Sequence, residues 1–230
     1  MIHTERPVIA HDGARAFDGY LARPRSGKGP GLLIFSEMWG VGESKTGMAD
    51  DYAAKGWCAF VPNMFWRSDF TAVVPYTDPD KAWQRLNAFD WQRSVDDIRT
   101  AAQWLRVSPH CTGTIAAIGF CMGGRLSFLA GVHAGVDAAI SLYALGIAKH
   151  LDEVRRIGCP LQLHYGMNDR HVPIAEIEAV AGAAQDNSNV EICRYPGADH
   201  AFFVESRPTY DAQAAALAAA RIERLLARLH

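Results

Sequence analysis

Short, unbroken apolar runs alternate along the chain with longer segments whose apolar positions recur every three or four residues. Residues 31–36 form a continuous apolar run of strand length, as a strand covered on both faces requires. Residues 57–61 repeat the pattern and stop at Pro62, and further buried strands are predicted over 114–118, 137–142, 160–165 and 190–195. Helices are predicted between them. One covers 43–55, with Gly56 as its C-terminal stop. Another covers 91–106, where Val95, Ile98, Ala102 and Leu105 fall on one face. Two more cover 121–130 and 174–184, and the last 20 residues are alanine-rich, with Ile222, Leu225, Leu226 and Leu229 on one stripe. The first 25 residues alternate loosely up to a glycine- and proline-rich turn at 23–30, and 63–80 carry aromatics and prolines without a period, as a surface loop does. Strands alternating with helices predict the α/β class: a mostly parallel central sheet, helices on both faces, right-handed crossovers, and one domain over 1–230.

Composition narrows the function classes. The 230 residues are 49% apolar and 21% charged, and the net charge of -2 offers no basic field for a nucleic acid. No apolar stretch reaches the roughly 20 residues of a spanning helix, and Glu5 and Arg6 interrupt any leader-like run, so a cytoplasmic protein without a membrane partner is expected. Cys58, Cys111, Cys121, Cys159 and Cys193 are odd in number and widely spaced, which argues for reduced thiols. Neither a Cys-x-x-Cys pair nor a zinc-type histidine pair occurs, so no metal and no cofactor are expected. Gly40, Gly42 and Lys45 follow a strand and precede a helix in the manner of a phosphate loop. Ser44 and Trp39 occupy the positions where that motif needs glycine, however, and Lys45 stands where a dinucleotide fingerprint needs its third.

One segment carries chemistry. Gly119-Phe120-Cys121-Met122-Gly123 ends a predicted strand and opens a helix, in the Gly-x-nucleophile-x-Gly elbow pattern with cysteine at its centre. A strained turn raises the nucleophile above a helix N-terminus, whose dipole and free N–H groups favour a thiolate and an oxyanion. An isolated cysteine beside glycine is more often a buried thiol, but the rest of a triad follows in the chain order of this motif. Asp169 stands after the strand at 160–165, and His200 after the strand at 190–195; His171 and Asp199 are their adjacent decoys. Glu37, at the end of the first buried strand, faces the same rim. It is expected to accept a hydrogen bond from the thiol and hold it protonated until substrate arrives.

The chain thereby resembles the dienelactone hydrolase (carboxymethylenebutenolidase) family of the α/β-hydrolase fold. The likeness is carried by Ser36-Glu37-Met38-Trp39-Gly40, Phe60-Val61-Pro62-Asn63, Gly119 to Gly124, Asp169-Arg170-His171-Val172-Pro173 and Asp199-His200-Ala201-Phe202. It implies Cys121 as nucleophile, His200 as acid and base, Asp169 as its orienting carboxylate and Glu37 as the thiol's partner. The oxyanion hole would come from the N–H groups of Met38 and Met122, with Trp39, Trp83, Phe202 and Val204 against the substrate. The expected reaction is cleavage of a small ester or lactone through a thioester acyl-enzyme, by a monomer or small homo-oligomer. Members specific for dienelactone hold the substrate carboxylate with two arginines. Here Val204 stands at one such position and no arginine is in register at the other, so neutral substrates are expected to outperform anionic ones unless Arg67, Arg85 or Arg207 supplies a replacement charge. Two rival readings use the same residues: hydrolysis of an amide or carbon–carbon bond, and a non-catalytic, redox-sensing thiol.

Overall fold

The apolar runs assemble the middle of one nine-stranded sheet. The computed structural model of the chain describes residues 1–68 and 70–229. In chain order the strands are β1 (His3–Glu5), β2 (Val8–Asp12), β3 (Arg15–Arg23), β4 (Gly29–Phe35), β5 (Cys58–Pro62), β6 (Cys111–Phe120), β7 (Ala138–Leu142), β8 (Leu161–Gly166) and β9 (Val190–Tyr195). The helices are α1 (Glu43–Ala54), α2 (Pro79–Asn87), α3 (Trp91–Val107), α4 (Met122–His133), α5 (Leu151–Arg156), α6 (Ile174–Ala184) and α7 (Ala212–Leu226). Their spatial order is β1-β3-β5-β4-β6-β7-β8-β9, with β2 paired to β3. From β5 to β9 every pairing is parallel, whereas β1, β2 and β5 all run antiparallel to β3.

The two-residue period of the strands divides the core in two. Leu33 and Phe35 of β4 and Ile115 and Ala117 of β6 point to one side, where Ile98, Ala102 and Leu105 of α3, Leu126 of α4 and Ile177 of α6 cover them. Leu32 and Ile34 of β4 and Ala116 and Ile118 of β6 point to the other, under Ala49 and Ala53 of α1 and Ile222, Leu225 and Leu226 of α7. Every residue of β4 is buried, which explains a run without polar alternation. Each such Leu, Ile or Phe contributes roughly 1.5–3 kcal/mol by leaving water.

Differences from the sequence expectation are local. The aperiodic stretch is a loop, but α2 starts inside it at Pro79, capped by Asp78, whose carboxylate accepts from the Lys81 N–H. A short 3₁₀ turn (Ile147–His150) and α5 fill the connection between β7 and β8. Cys121 lies outside α4 as its N-cap rather than inside the helix.

The two ends of the chain order matter for function. From β4 the chain crosses to β5 on one side and then returns past β4 to β6 on the other. The crevice beyond the carboxyl ends of β4 and β6 is therefore the switch point of the sheet, where ligands bind in open parallel sheets. Helix α3 makes that return crossover, and its Asp90 cap accepts from the N–H groups of Gln92 and Arg93, each at 3.0 Å. Asp90→Ala should lower the unfolding free energy by about 1 kcal/mol in urea titrations, with an unchanged m-value.

Candidate active site

Glu37, Cys121, Asp169 and His200 come from four different loops, after β4, β6, β8 and β9, all at the carboxyl edge of the sheet. The turn between β6 and α4 sets the geometry. Cys121 has φ 57° and ψ -119°, a conformation that L residues avoid. A Cβ on Gly119 would lie 1.8 Å from the Gly123 carbonyl oxygen, and one on Gly123 would lie 2.2 Å from that of Phe35. Neither clash is relieved by moving a side chain, so both positions require glycine. Among the described residues only Cys121, Tyr143 and Ala201 combine a side chain with positive φ, and all three lie at this rim.

His200 Nδ1 is 2.7 Å from Asp169 Oδ2, and the other Asp169 oxygen accepts from the His171 N–H at 2.8 Å. A carboxylate accepts hydrogen bonds, so Nδ1 carries the proton and the second ring nitrogen is left for Cys121, whose side chain acts electrostatically on His200. Burial pulls the His200 pKa down, but the hydrogen bond to Asp169 and the influence of Cys121 and Asp169 prevail and push it up to about 10. A histidine held cationic next to a thiol favours the thiolate–imidazolium pair. Of the two decoys, His171 stacks its ring edge-on at 4.8 Å from the His200 ring, and Asp199 accepts from the His200 N–H; neither takes a place in the Cys121–His200–Asp169 chain.

Two amides of the rim lack acceptors. Met38 and Met122 are buried, and among the described residues neither N–H reaches a protein acceptor. Buried amides without acceptors are rare, which makes these two candidates for receiving an anionic oxygen. Arg85 braces Met38 from behind: its guanidinium donates to the carbonyls of Met38 and Ala72 and lies over the Phe65 ring. Burial lowers its pKa to about 10.

Glu37 adopts an arrangement other than the expected one. Its carboxylate receives the Lys45 ammonium at 3.1 Å, and no hydrogen bond joins it to Cys121 among the described residues. A buried ammonium is a far stronger partner than a neutral thiol, which explains the choice. Lys45, and Tyr143 with its fully buried hydroxyl free of partners, are site residues that the sequence reading did not assign. Lys45 had drawn notice only as part of a failed phosphate loop, and no pattern in one sequence marks a first-turn lysine as buried.

Beside Glu37, a cavity of about 710 Å³ is lined by Trp39, Lys45, Val74, Tyr76 and Ser206 among others, while Cys121 and His200 lie outside its lining. Trp39 meets Tyr76 edge to face at 5.0 Å. Trp83, half-exposed on α2, lies 6.0 Å from the His171 ring and so stands at the rim. Val204 borders a separate groove with Met48 and Phe203. Phe202 corrects an expectation: with no exposed surface, it is wedged between Tyr143 and Tyr195 and backs the site instead of lining it. Arg67 is committed to Asp12 and Asp97, and Arg85 to backbone carbonyls. Arg207 stacks 4.6 Å above Tyr76 and 5.4 Å from Trp39, and among the described residues it has no carboxylate partner.

A glycine-bounded elbow over a helix N-terminus, with an acid and a histidine delivered by later strands of a parallel sheet, defines an α/β-hydrolase, here with cysteine at the elbow. The chain belongs to the dienelactone hydrolase family, whose model matches residues 17–229. It is 29% identical to the carboxymethylenebutenolidase of Pseudomonas putida, over 92% of this chain and 90% of that protein. It is 27% identical to that of Pseudomonas sp. strain P51, over 98% and 96%. Among solved structures, it superposes on a dienelactone hydrolase-like promiscuous phosphotriesterase from metagenomic libraries with a TM-score of 0.83, at 21% identity and 99% and 98% coverage. The protein is thus a dienelactone hydrolase-like hydrolase, and no helix among the described residues is long and apolar enough to cross a membrane.

Asp169→Asn removes the charge that keeps His200 protonated. Iodoacetamide alkylation of Cys121 at neutral pH should slow by about tenfold or more, the effect of losing one close charge partner. An unchanged rate would mean that Asp169 does not control the pair.

Proposed function

We propose that this protein hydrolyses a carboxylic ester or lactone through a thioester on Cys121. The observation that carries the reading is the Asp169–His200 hydrogen bond, with a histidine that feels Cys121 at its strained elbow, beside two amides that lack acceptors. The Cys121 sulfur attacks the substrate carbonyl carbon, and the carbonyl π electrons move onto oxygen, which the Met38 and Met122 N–H groups receive. When that oxyanion collapses, the carbon–oxygen ester bond breaks, and the leaving alkoxide takes the proton from His200. In a lactone the new hydroxyl stays attached to the acyl group, so ring opening yields a single hydroxy acid. Water then gives His200 a proton as its oxygen attacks the thioester, and the second collapse releases the acid and restores the sulfur. Asp169 holds the imidazole in one tautomer throughout and stabilises its charged form. No step calls for a metal or a redox group.

The cavity favours small acyl and alcohol groups with an apolar face, given Trp39, Val74 and Tyr76 in its wall. Arg207 changes the sequence-based expectation about charge. Its guanidinium stands over two of those rings without a carboxylate of its own, and this supports a substrate that carries an anion at that end.

Two measurements test the proposal. Cys121→Ala should abolish the acyl-enzyme seen by intact mass with an aryl ester and lower kcat/KM by about a thousandfold or more, with little change in Tm. Activity within about tenfold of the parent would sink the assignment. Arg207→Ala should lower kcat/KM for a carboxylate-bearing lactone by about tenfold or more relative to its methyl ester. If the ratio of free acid to methyl ester does not move, the substrate is neutral at that end.

A further inference from the structure

Lys45 buries a charge beside the elbow. Its side chain is 2% exposed, with Nζ 3.1 Å from Glu37 Oε1, 3.2 Å from Ser44 Oγ and 4.3 Å from the centre of the Phe120 ring. The partner carboxylate is also secluded, at 8%. A pair of this kind contributes little net stability, because desolvating both ions offsets their attraction. Its location is the informative feature. Phe120 precedes Cys121 in the chain, and Glu37 precedes Met38, so the pair touches the nucleophile's element and the oxyanion loop together. The field of Glu37 also reaches the Tyr143 hydroxyl, which feels Cys121 as well.

A carboxylate at that place has two uses for its charge. Turned to the thiol, it would accept the S–H hydrogen, draw Cys121 away from His200 and oppose ionisation. Turned to Lys45, it forms a locally neutral pair and leaves Cys121 to His200. The Lys45 pairing is the one present, and no hydrogen bond joins Glu37 to Cys121 among the described residues. We propose that Lys45 is a positioning residue that turns and neutralises Glu37, so that the Cys121 sulfur is available to His200 before substrate binds. The inference rests on the reading of Cys121 as the nucleophile. It assigns to the carboxylate a state set by α1, not by the substrate.

The groups that face the sulfur or its partner come from every surrounding element. His200 follows β9, Tyr143 follows β7, Glu37 follows β4 and Lys45 belongs to α1, while Asp169 and His171 bear on His200, and Tyr76 and Arg207 act on Tyr143. Of these, Lys45 and Glu37 are the two whose charges cancel each other, so removing one leaves the other acting on the thiol. The signs follow. Lys45→Met leaves a lone anion and disfavours the thiolate; Glu37→Gln leaves a lone cation and favours it; the double variant restores neutrality.

The experiment measures iodoacetamide alkylation of the Cys121 peptide by mass spectrometry, across pH, in the folded full-length chain. Lys45→Met should react about tenfold or more slowly at neutral pH, with its rate–pH profile displaced to higher pH, and Glu37→Gln should react faster by a similar factor. The double variant should return to within about threefold of the parent, since both buried charges are gone. Should the lone anion of Lys45→Met prevent folding, the comparison of Glu37→Gln with the double variant decides alone. Equal rates in those two, or a Lys45→Met thiol as reactive as the parent's, would overturn the role of Lys45. Failure of the acyl-enzyme reading looks different: no thioester and no turnover with any ester, whatever the alkylation pattern.

Discussion

Where β6 turns into α4, the backbones of residues 119 and 123 approach so closely that a single Cβ at Gly119 would sit 1.8 Å from a carbonyl oxygen. That approach forces the intervening chain through the positive φ of Cys121. The strain is tolerated because the partners on both sides are fixed: β6 pairs with β4 and β7 in the centre of the sheet, and α4 packs on its face. A nucleophile on a flexible loop would sample many positions relative to the oxyanion amides. This one has its position set by the core, and the Met122 amide is aligned with it because both belong to the same turn. The other participants depend on the same constraint, since His200, Met38 and Tyr143 are useful only with respect to a sulfur that does not move.

The electrostatics of the rim are organised in pairs. Asp169 is matched to His200, and Glu37 to Lys45, while Arg85 is matched to carbonyl dipoles. Each pair is largely desolvated, so the charges act on near neighbours with little screening by solvent. This arrangement separates two tasks. The Asp169 pair raises the proton affinity of His200 next to the sulfur, and the Glu37 pair withholds a negative charge from the same sulfur. Arg207 stands outside this pairing, over aromatic faces, with no carboxylate partner among the described residues.

Much of this was legible in the chain. The central strands announced themselves because strands buried on both faces have no polar alternation, and α6 and β9 fall at their expected limits. The pairing of Asp169 with His200, 2.7 Å apart, was legible for a related reason: the fold delivers both at strand ends in fixed order, which separates them from His171 and Asp199 by register. The N-terminal strands were not, because β1 and β2 are short and exposed, and the buried positions of β3 are interleaved with polar residues and glycine. Helix α2 was masked by the aromatics and prolines of the loop before it, although Asp78 and Pro79 are ordinary start signals. Phe202 was misassigned because adjacency to His200 in sequence says nothing about which way the neighbouring ring turns. The partner of Glu37 was illegible for a deeper reason: it lies on a helix whose apolar stripe is interrupted by the lysine itself.

That last point bears on how such sites diverge. The elbow, the histidine and the acid are bound together by backbone geometry, so on the proposed reading a change in any one removes the reaction. The environment of the carboxylate is bound only by charge. Any cation brought to the carboxylate by α1 or a neighbouring loop would cancel its field, and any apolar residue there would release it toward the thiol. If the proposed role of Lys45 holds, one position in the first turn of a helix moves the thiol between a state held in reserve and a state paired with His200, without altering the sheet or the elbow. Reactivity in the resting state is thus set separately from catalytic competence, and the two can change independently as substrates and surroundings change.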